Sequence, residues 1–227
     1  MANYRRYRRK TSWQVMIFND RQDAGKILAQ SLAKLKLNQK NTIVAAIPRG
    51  GIVVGLEVAD LLNVPLFPLV IKKIGAPNNP ELAIGACASW GKPTLDRWLI
   101  ADLKIGKDYV KKEYLNKKRE AKAREKFLNV EISPEKFRDK IVIVTDDGLA
   151  TGQTVIAAAK IIKAFGPKEL ILAIPCGSPS VLEKVQADYD KVICAQQSED
   201  FWAVGQFYKD FRPVSDEEVR QLIAKSK

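Results

Sequence analysis

The stretch IVIVTDDGLATGQT, Ile141 to Thr154, decides the fold of this chain. It opens with four β-branched apolar residues, which are typical of a strand covered on both faces. Two adjacent aspartates, a glycine, small residues and two threonines follow. The next segment, GQTVIAAAKIIKAFG, is an amphipathic helix pattern that ends at Gly166, a residue type that commonly closes a helix. A buried strand, a polar loop and a helix in this order predict one unit of a parallel α/β sheet.

The same alternation of apolar runs and amphipathic segments extends along the chain. Buried strands are predicted at TIVAAIP, PLFPLVI, ELILAIP and KVICAQ, residues 42–48, 65–71, 169–175 and 191–196, although Pro68 argues against a regular central ladder in the second. Helices are predicted near 24–35 with Asn19 or Asp20 as the cap, near 52–63, 107–128 and 179–186, and at 214–225 with Ser215 as the cap and Glu218 as its capping-box partner. We therefore expect an α/β fold with a Rossmann-like, mainly parallel sheet flanked by helices.

Composition excludes several classes of protein. The chain has 227 residues, 46% of them hydrophobic, so a folded domain with a sizeable core is expected. It has no histidine, which excludes Ser-His-Asp triads, Cys-His pairs and histidine-ligated metals. The three cysteines have neither disulfide-framework nor zinc-site spacing, and neither a transmembrane run nor a secretory signal is visible. A cytoplasmic protein without membrane partners is the simplest interpretation.

Positive charge is concentrated in two tracts of a chain whose net charge is +12. One is the N-terminal MANYRRYRRK, and the other is KDYVKKEYLNKKREAKAREK, residues 107–126. We expect residues 1–12 to form a disordered basic tail and residues 13–227 to form a single domain. An excess of cations favours anionic partners, which are nucleic acid, a membrane surface or a polyphosphate substrate. A solvated helix face with a frayed tail explains the same charges equally well.

Three polar loops are predicted at one edge of the sheet. They are Arg49-Gly50-Gly51, the segment Lys72-Lys73-Ile74-Gly75 at the end of the second strand, and Asp146 to Thr154. Ligands of parallel α/β sheets bind outside the carboxyl ends of the strands, which is where all three loops would lie.

The third loop is the most specific of the three. Its small residues allow close approach of the backbone, and the helix that begins near Gln153 directs free N–H groups and a positive dipole at the loop. Neither GxxxxGK[ST] nor GxGxxG is present, so a nucleotide P-loop is excluded. Adjacent carboxylates accept hydrogen bonds from a vicinal diol but repel phosphate. The sequence therefore predicts a sugar phosphate, with its phosphate in the loop and its hydroxyls on Asp146 and Asp147.

VIVTDDGLATGQT resembles the phosphoribosyl pyrophosphate (PRPP) signature of the type I phosphoribosyltransferases, in length and in residue order. IPRGGIVVGLEVA, IKKIGAPNNPELAIGA and FWAVGQFYKDF extend the resemblance to a family of stand-alone phosphoribosyltransferases of unassigned acceptor. It covers most of the chain from about residue 17. The alternative is a strand–turn–helix with an Asp-Asp-Gly turn and no ligand.

The resemblance implies a role for each loop. Asp146 and Asp147 would hold the ribose hydroxyls, and the 5-phosphate would be bound by Gly148, Ala150, Thr151, Gly152, Gln153 and Thr154. Pyrophosphate would be bound by Arg49, Gly50, Gly51, Lys72 and Lys73, in a loop that often carries a cis peptide in this fold. The candidate catalytic residues are Asp146, Asp147, Arg49 and Lys73. One of the two lysines can equally be a solvated cation.

The implied reaction is transfer of ribose 5-phosphate from PRPP to a nucleophile, with release of pyrophosphate. This is a pentosyltransferase (glycosyltransferase) reaction of nucleotide metabolism, and the acceptor would be a nucleobase or another nitrogen compound. Mg²⁺ is the implied cofactor, held by PRPP and water, with Asp146 and Asp147 as further ligands. The protein would mainly position the reactants and stabilise leaving-group charge.

Two segments outside the motif are candidates for accessory parts of the site. Residues 91–124 lie where type I enzymes carry a mobile lid, but they can equally be a helix packed on the body or at a homodimer interface. Residues 195–227 are the candidate hood and C-terminal helix. Phe201 and Trp202 there, with Phe207 and Tyr208, are candidates to stack on a planar acceptor. A satellite core is the commoner role of such a cluster.

Three hypotheses for function follow. We favour a Mg²⁺-dependent transferase that uses PRPP. A regulator would sense PRPP or a nucleotide and bind RNA or DNA through the basic tracts, but no nucleic-acid-binding motif is visible. A hydrolase would use water as the acceptor. The retained pyrophosphate loop favours the transferase over the regulator.

Overall fold

The computed structural model describes residues 17–130 and 133–225. The predicted basic tail, residues 1–12, lies outside this part of the chain. The described strands are β1 Thr42–Ala46, β2 Leu66–Pro68, β3 Lys72–Ala76, β4 Asn79–Cys87, β5 Thr94–Leu95, β6 Ile141–Thr145, β7 Glu169–Gly177 and β8 Lys191–Gln197. The described α-helices are α1 Arg21–Ala33, α2 Gly50–Leu62, α3 Arg97–Asp102, α4 Lys107–Phe127, α5 Gln153–Lys163, α6 Pro179–Gln186 and α7 Asp216–Lys225.

Five of the strands form a parallel sheet in the order β2-β1-β6-β7-β8. Strands β1 and β6 are buried at every position, as expected from their continuous apolar runs. The expected α/β fold with a mainly parallel sheet is confirmed. The chain runs outward in opposite directions from the β1–β6 pair, which makes this pair the topological switch point where such sheets bind ligands.

Helices cover both faces of the parallel sheet. Leu28 and Leu32 of α1 pack with Ile52 and Val58 of α2 on one face. On the other face, α5 and α6 pack through Val155, Ala158, Ile162, Leu182 and Val185. Of the two predicted caps for the first helix, Asp20 is the one used, because its side chain accepts from the Asp23 N–H.

The predicted strand over residues 65–71 is shorter in the structure. Only Leu66–Pro68 joins the sheet, and it does so as an edge strand paired with β1. Proline lacks an N–H and is tolerated at such an edge, so the warning from Pro68 was correct. The chain then leaves the parallel sheet before Lys72.

A second, antiparallel sheet in the order β3-β4-β5 replaces the predicted turn-rich segment. The expectation that Lys72 and Lys73 end a parallel strand was wrong, because these residues begin β3 instead. Ile74 and Ile84 point into a separate apolar cluster with residues of α3 and α4. Helix α3, which lies in a stretch predicted to be poor in helix, begins where Asp96 accepts from the Leu99 N–H at 2.9 Å.

Helix α7 begins as predicted at Ser215, whose hydroxyl accepts from the Glu218 N–H at 3.1 Å. The predicted capping box is only half formed, because the Glu218 carboxylate binds the Arg212 guanidinium instead, at 2.7 and 3.0 Å. A charged partner competes well with a backbone N–H for a carboxylate. Within the described residues, no helix has the length and apolar character needed to cross a membrane.

Candidate active site

The loops that follow β1 and β6 touch each other at the switch point. A Cβ atom placed on Gly50 would lie 1.9 Å from Asp147 Oδ2, and one on Gly51 would lie 2.8 Å from the Asp146 Cα. Contacts this short leave no room for a side chain. The pair of glycines after β1 is therefore required by the two aspartates after β6.

Asp146 lines a cavity of about 670 Å³ beside the switch point. Burial and the neighbouring Asp147 charge raise the pKa of Asp146 well above its ordinary value. The carboxylate accepts from the Asp147 N–H at 2.9 Å, which lowers that pKa by a smaller amount. A partly buried carboxylate of this kind gains from hydroxyl donors or from a cation that replaces the lost water.

Asp147 has a different environment from Asp146. Its Oδ2 accepts from Arg21 Nε at 2.7 Å, and both side chains are largely buried. Arg21 also donates from Nη1 to the Arg212 carbonyl at 2.9 Å and stacks 3.9 Å from the Phe211 ring centroid. Asp147 is thus tied to α1 and to the C-terminal segment, and it does not line the cavity.

Arg21 is a site residue that sequence reasoning missed. In the sequence it looks like an ordinary first-turn residue of α1, directly after the Asp20 cap. Its partner lies 126 positions away. Only the tertiary structure brings them together, and no local pattern points to the pair.

The loop from Gly148 to Thr154 is held at both ends. Leu149 is buried and donates its N–H to the Cys176 carbonyl at 2.8 Å. Gly152, with a φ of +75°, precedes α5 in a left-handed conformation that favours glycine. A Cβ there would lie 2.7 Å from a Val185 methyl group, so the loop packs tightly on α6.

The start of α5 has the features of an anion site. Gly152 provides no side-chain cap, and the first turn of α5 contains no acidic residue. Ala150, Thr151 and Gln153 are exposed, and Gln153 and Thr154 line the cavity. Helix N-termini bind phosphate through free N–H groups and the helix dipole. This end of the cavity therefore suits a phosphate group.

The two lysines at the start of β3 point in different directions. Lys73 lines the cavity, whereas Lys72 lies 3.5 Å from Glu120 of α4. Alternation along a strand places neighbouring side chains on opposite faces. Arg49 is exposed, follows a cis peptide bond with Pro48, and does not line the cavity.

Comparison with known proteins decides the family. The protein-family model of the phosphoribosyl transferase domain matches residues 17–212 of this chain. The chain belongs to the phosphoribosyltransferase family.

Similar proteins agree with this assignment. Two Mycobacterium tuberculosis proteins, MT0597 and Rv0571c, whose names give phosphoribosyl transferase as a provisional assignment, are 36% identical over 213 residues. The match covers 89% of this chain and 45% of each relative, so the chain spans about half their length. The crystal structure of TT1426 from Thermus thermophilus is similar with a TM-score of 0.81 at 33% identity, over 92% of this chain and 99% of that one. AQ2163 from Aquifex aeolicus, at 15% identity and a TM-score of 0.50 over 82% of this chain and 78% of that one, shares the fold.

The candidate hood of this phosphoribosyltransferase chain is mostly a packed core. Phe201 is half-buried, with its ring centroid 5.3 Å from that of Phe207. The Tyr208 hydroxyl donates to the Asp147 carbonyl at 2.5 Å. Trp202, in contrast, is 90% exposed. The packing supports a satellite core for Phe201, and stacking of Phe201 or Trp202 on an acceptor stays a prediction.

The candidate lid, residues 91–124, contains β5, α3 and most of α4, and it packs on the small sheet. The Tyr109 hydroxyl donates to the Gly75 carbonyl at 3.0 Å, and the Tyr114 hydroxyl donates to the Gly91 carbonyl at 3.2 Å. Near the end of α4, Ala121 is fully buried. These contacts favour a helix packed on the body, and movement of the segment stays a prediction.

Metal binding was expected mainly through PRPP and water. In the described part of the chain, no group of three or more Asp, Glu or Cys side chains could hold a metal ion. Asp146 is the carboxylate of the motif that faces the cavity. Its partly buried position beside Asp147 fits a role toward a bound divalent cation, because such a cation favours the charged form.

Proposed function

We propose that this chain binds PRPP with Mg²⁺ and transfers its ribose 5-phosphate group to a nucleophile, with release of pyrophosphate. One observation carries the proposal: Asp146, the start of α5 and Lys73 meet around one cavity at the switch point of the sheet. An acceptor for hydroxyls, a phosphate site and a cation are what the three parts of PRPP require. The cavity, at about 670 Å³, is of the size that small-molecule sites have.

The ligand would lie along this cavity in one orientation. The 5-phosphate would occupy the loop from Ala150 to Thr154, on the N–H groups of α5. The ribose hydroxyls would donate to the Asp146 carboxylate. Pyrophosphate would then lie between the Gly50–Gly51 backbone and Lys73, which lines the cavity.

The chemical step breaks the bond between the anomeric carbon and the pyrophosphate oxygen, which keeps the bonding electrons. The acceptor nucleophile forms the new bond to that carbon. The residues of this chain contribute by holding the reactants in line and by stabilising the charge on the leaving group. Mg²⁺, when bound, adds charge neutralisation at the pyrophosphate. Asp146 would be the protein residue that holds it.

The acceptor would enter from the hood side, and we infer that it is a nucleobase or another nitrogen compound. Exposed Trp202 supports this, because an aromatic side chain can stack on a planar base. Burial raises the pKa of the Cys176 thiol beside Asp147, so this sulfur is a poor candidate for a nucleophile. The free cysteines Cys87, Cys176 and Cys194 suit a reducing compartment, and we place the activity in the cytoplasm.

Calorimetric titration tests this proposal directly. We expect PRPP to bind with Mg²⁺ much more tightly than ribose 5-phosphate, and the Asp146→Asn/Asp147→Asn double variant to lose this binding. A carboxylate–hydroxyl hydrogen bond contributes about 1.5–3 kcal/mol, so loss of one or two weakens binding about tenfold or more. Equal affinity for PRPP and ribose 5-phosphate would contradict a pyrophosphate site. Release of pyrophosphate only when an acceptor is added would separate transfer from hydrolysis.

A further inference from the structure

Three cations line the cavity beyond the residues of the PRPP motif. They come from separate helices: Arg97 from α3, Lys160 from α5 and Lys184 from α6. Lys73 is the fourth cation of the cavity wall. The motif residues and Lys73 already provide for every charged group of PRPP. The three further cations are therefore left without a partner in the proposed function.

The three cations are also free of protein partners. Among residues 17–130 and 133–225, none of them makes an ion pair, although other cations of the same region do. Those cations are Arg21, Lys72, Lys117, Arg124, Lys191 and Arg212. The acidic residue next to Arg97, Asp96, is engaged as the cap of α3. Two acidic residues, Asp96 and Asp146, line the same cavity, and the four cations outnumber them. An excess of positive charge in a cavity favours an anionic ligand.

The positions of the two lysines relate this wall to the phosphate loop. Lys160 lies seven residues after Gln153, so it is about 10 Å along the axis of α5 from the 5-phosphate site. Lys184 lies on α6 next to Val185, whose methyl group packs where Gly152 has no side chain. Both lysines therefore line the same cavity as Gln153 and Thr154 of the phosphate loop.

We propose that Arg97, Lys160 and Lys184 form a second phosphate subsite, which takes a linear chain of two or more phosphates beside the 5-phosphate loop. A ligand that occupies it would overlap the 5-phosphate end of PRPP and would compete with PRPP for the cavity. The binding itself requires only the three cations. The competition rests, in addition, on the proposed function.

Inorganic tripolyphosphate is the probe for this subsite, titrated by calorimetry into Mg²⁺-free protein at fixed ionic strength. The test variant is Lys160→Ala/Lys184→Ala. The matched control is Lys163→Ala/Lys168→Ala, which removes the same charge from two exposed lysines outside the cavity. We expect wild type to bind, the test variant to bind at least about tenfold more weakly, and the control to change less than about twofold.

Three results would overturn the subsite. The first is that wild type does not bind tripolyphosphate. The second is that the test and control variants lose equal affinity for tripolyphosphate. The third is that the test variant loses as much affinity for PRPP as it loses for tripolyphosphate. Adenosine 5-monophosphate and 5-triphosphate distinguish the source of the chain. If adenosine 5-triphosphate binds more tightly than tripolyphosphate, and this gain in affinity is lost in the lysine variant, the ligand of the subsite is a nucleotide. If there is no such gain, the ligand is a free inorganic phosphate chain. Tripolyphosphate binding without PRPP binding would reject the proposed function and keep the subsite.

Discussion

At the scale of single residues, the two aspartates of the motif have different environments. Asp146 faces the cavity, whereas Asp147 is bound by Arg21 at 2.7 Å. Adjacent residues after a strand point in different directions, so one can serve a ligand while the other holds the protein together. Under the proposed function, the ribose contact would therefore be made mainly by Asp146, and Arg21 would position Asp147.

Arg21→Ala is expected to destabilise the protein by about 2–4 kcal/mol, because it leaves the Asp147 carboxylate largely buried without its partner. Urea unfolding measures the change. The control is a double-mutant cycle with Asp147→Asn. The double variant should lose less folding stability than the two single variants lose together, and the difference should exceed about 1 kcal/mol. Additive losses would show that the ion pair does not couple the two residues.

Asp146→Asn is expected to stabilise the fold at neutral pH. The raised pKa of Asp146 means that the folded protein binds the proton more tightly than the unfolded chain, so stability falls as pH rises above its ordinary pKa of 3.8. An amide removes this cost and still accepts from the Asp147 N–H. We expect Tm to rise by about 2–4 °C at pH 7, a gain that disappears below about pH 4.

The matched control for this prediction is Asp200→Asn, which changes an exposed acid. Its Tm should stay within the error of the measurement at both pH values. A lower Tm for Asp146→Asn at pH 7 would contradict the direction of the pKa shift. Loss of PRPP binding together with a higher Tm would show that this carboxylate is kept for function at the expense of stability.

At the scale of elements, the contact between the β1 and β6 loops is the feature on which the site depends. Gly50→Ala would place a methyl group 1.9 Å from Asp147 Oδ2 and 2.8 Å from Arg21 Nε. We expect loss of PRPP binding and a cost of about 1–3 kcal/mol from overpacking. Gly106→Ala is the control, since a Cβ there meets nothing within 4 Å. Unchanged affinity in Gly50→Ala would mean that the loops separate freely.

The elements also show how far the sequence could be interpreted. The apolar runs of β1 and β6 are recognisable because both faces of these strands are buried, and the loops after them follow directly. The β3–β5 sheet was not recognisable in this way, because its strands alternate only partly and β3 contains a bulge near Gly75. Short β5 exists only through its pairing with β4. Arg21 and Asp147 are 126 positions apart in the sequence. The hydrophobic periodicity of the sequence gives no information on contacts between such distant residues.

At the scale of the whole molecule, the excess of positive charge has two explanations. Part of it is neutralised locally in α4, where Lys117 binds Glu113 and Glu120 at 3.6 and 2.8 Å. Another part lies in the cavity, where it suits phosphorylated ligands. The remaining question is whether the N-terminal cations make this chain a nucleic-acid-binding regulator.

Deletion of residues 1–10 decides this question, because it removes Arg5, Arg6, Arg8, Arg9 and Lys10 in one step. We expect affinity for arbitrary oligonucleotides to be independent of their sequence, to fall steeply with salt, and to weaken further after the deletion, with a smaller salt slope. PRPP affinity should not change, since Asp146, Lys73 and the phosphate loop all lie within residues 17–225. Fluorescence anisotropy at several salt concentrations gives the slope, and calorimetry gives the PRPP affinity. Binding that survives high salt and selects one oligonucleotide sequence would instead favour the regulator, because only base contacts discriminate between sequences at a given charge.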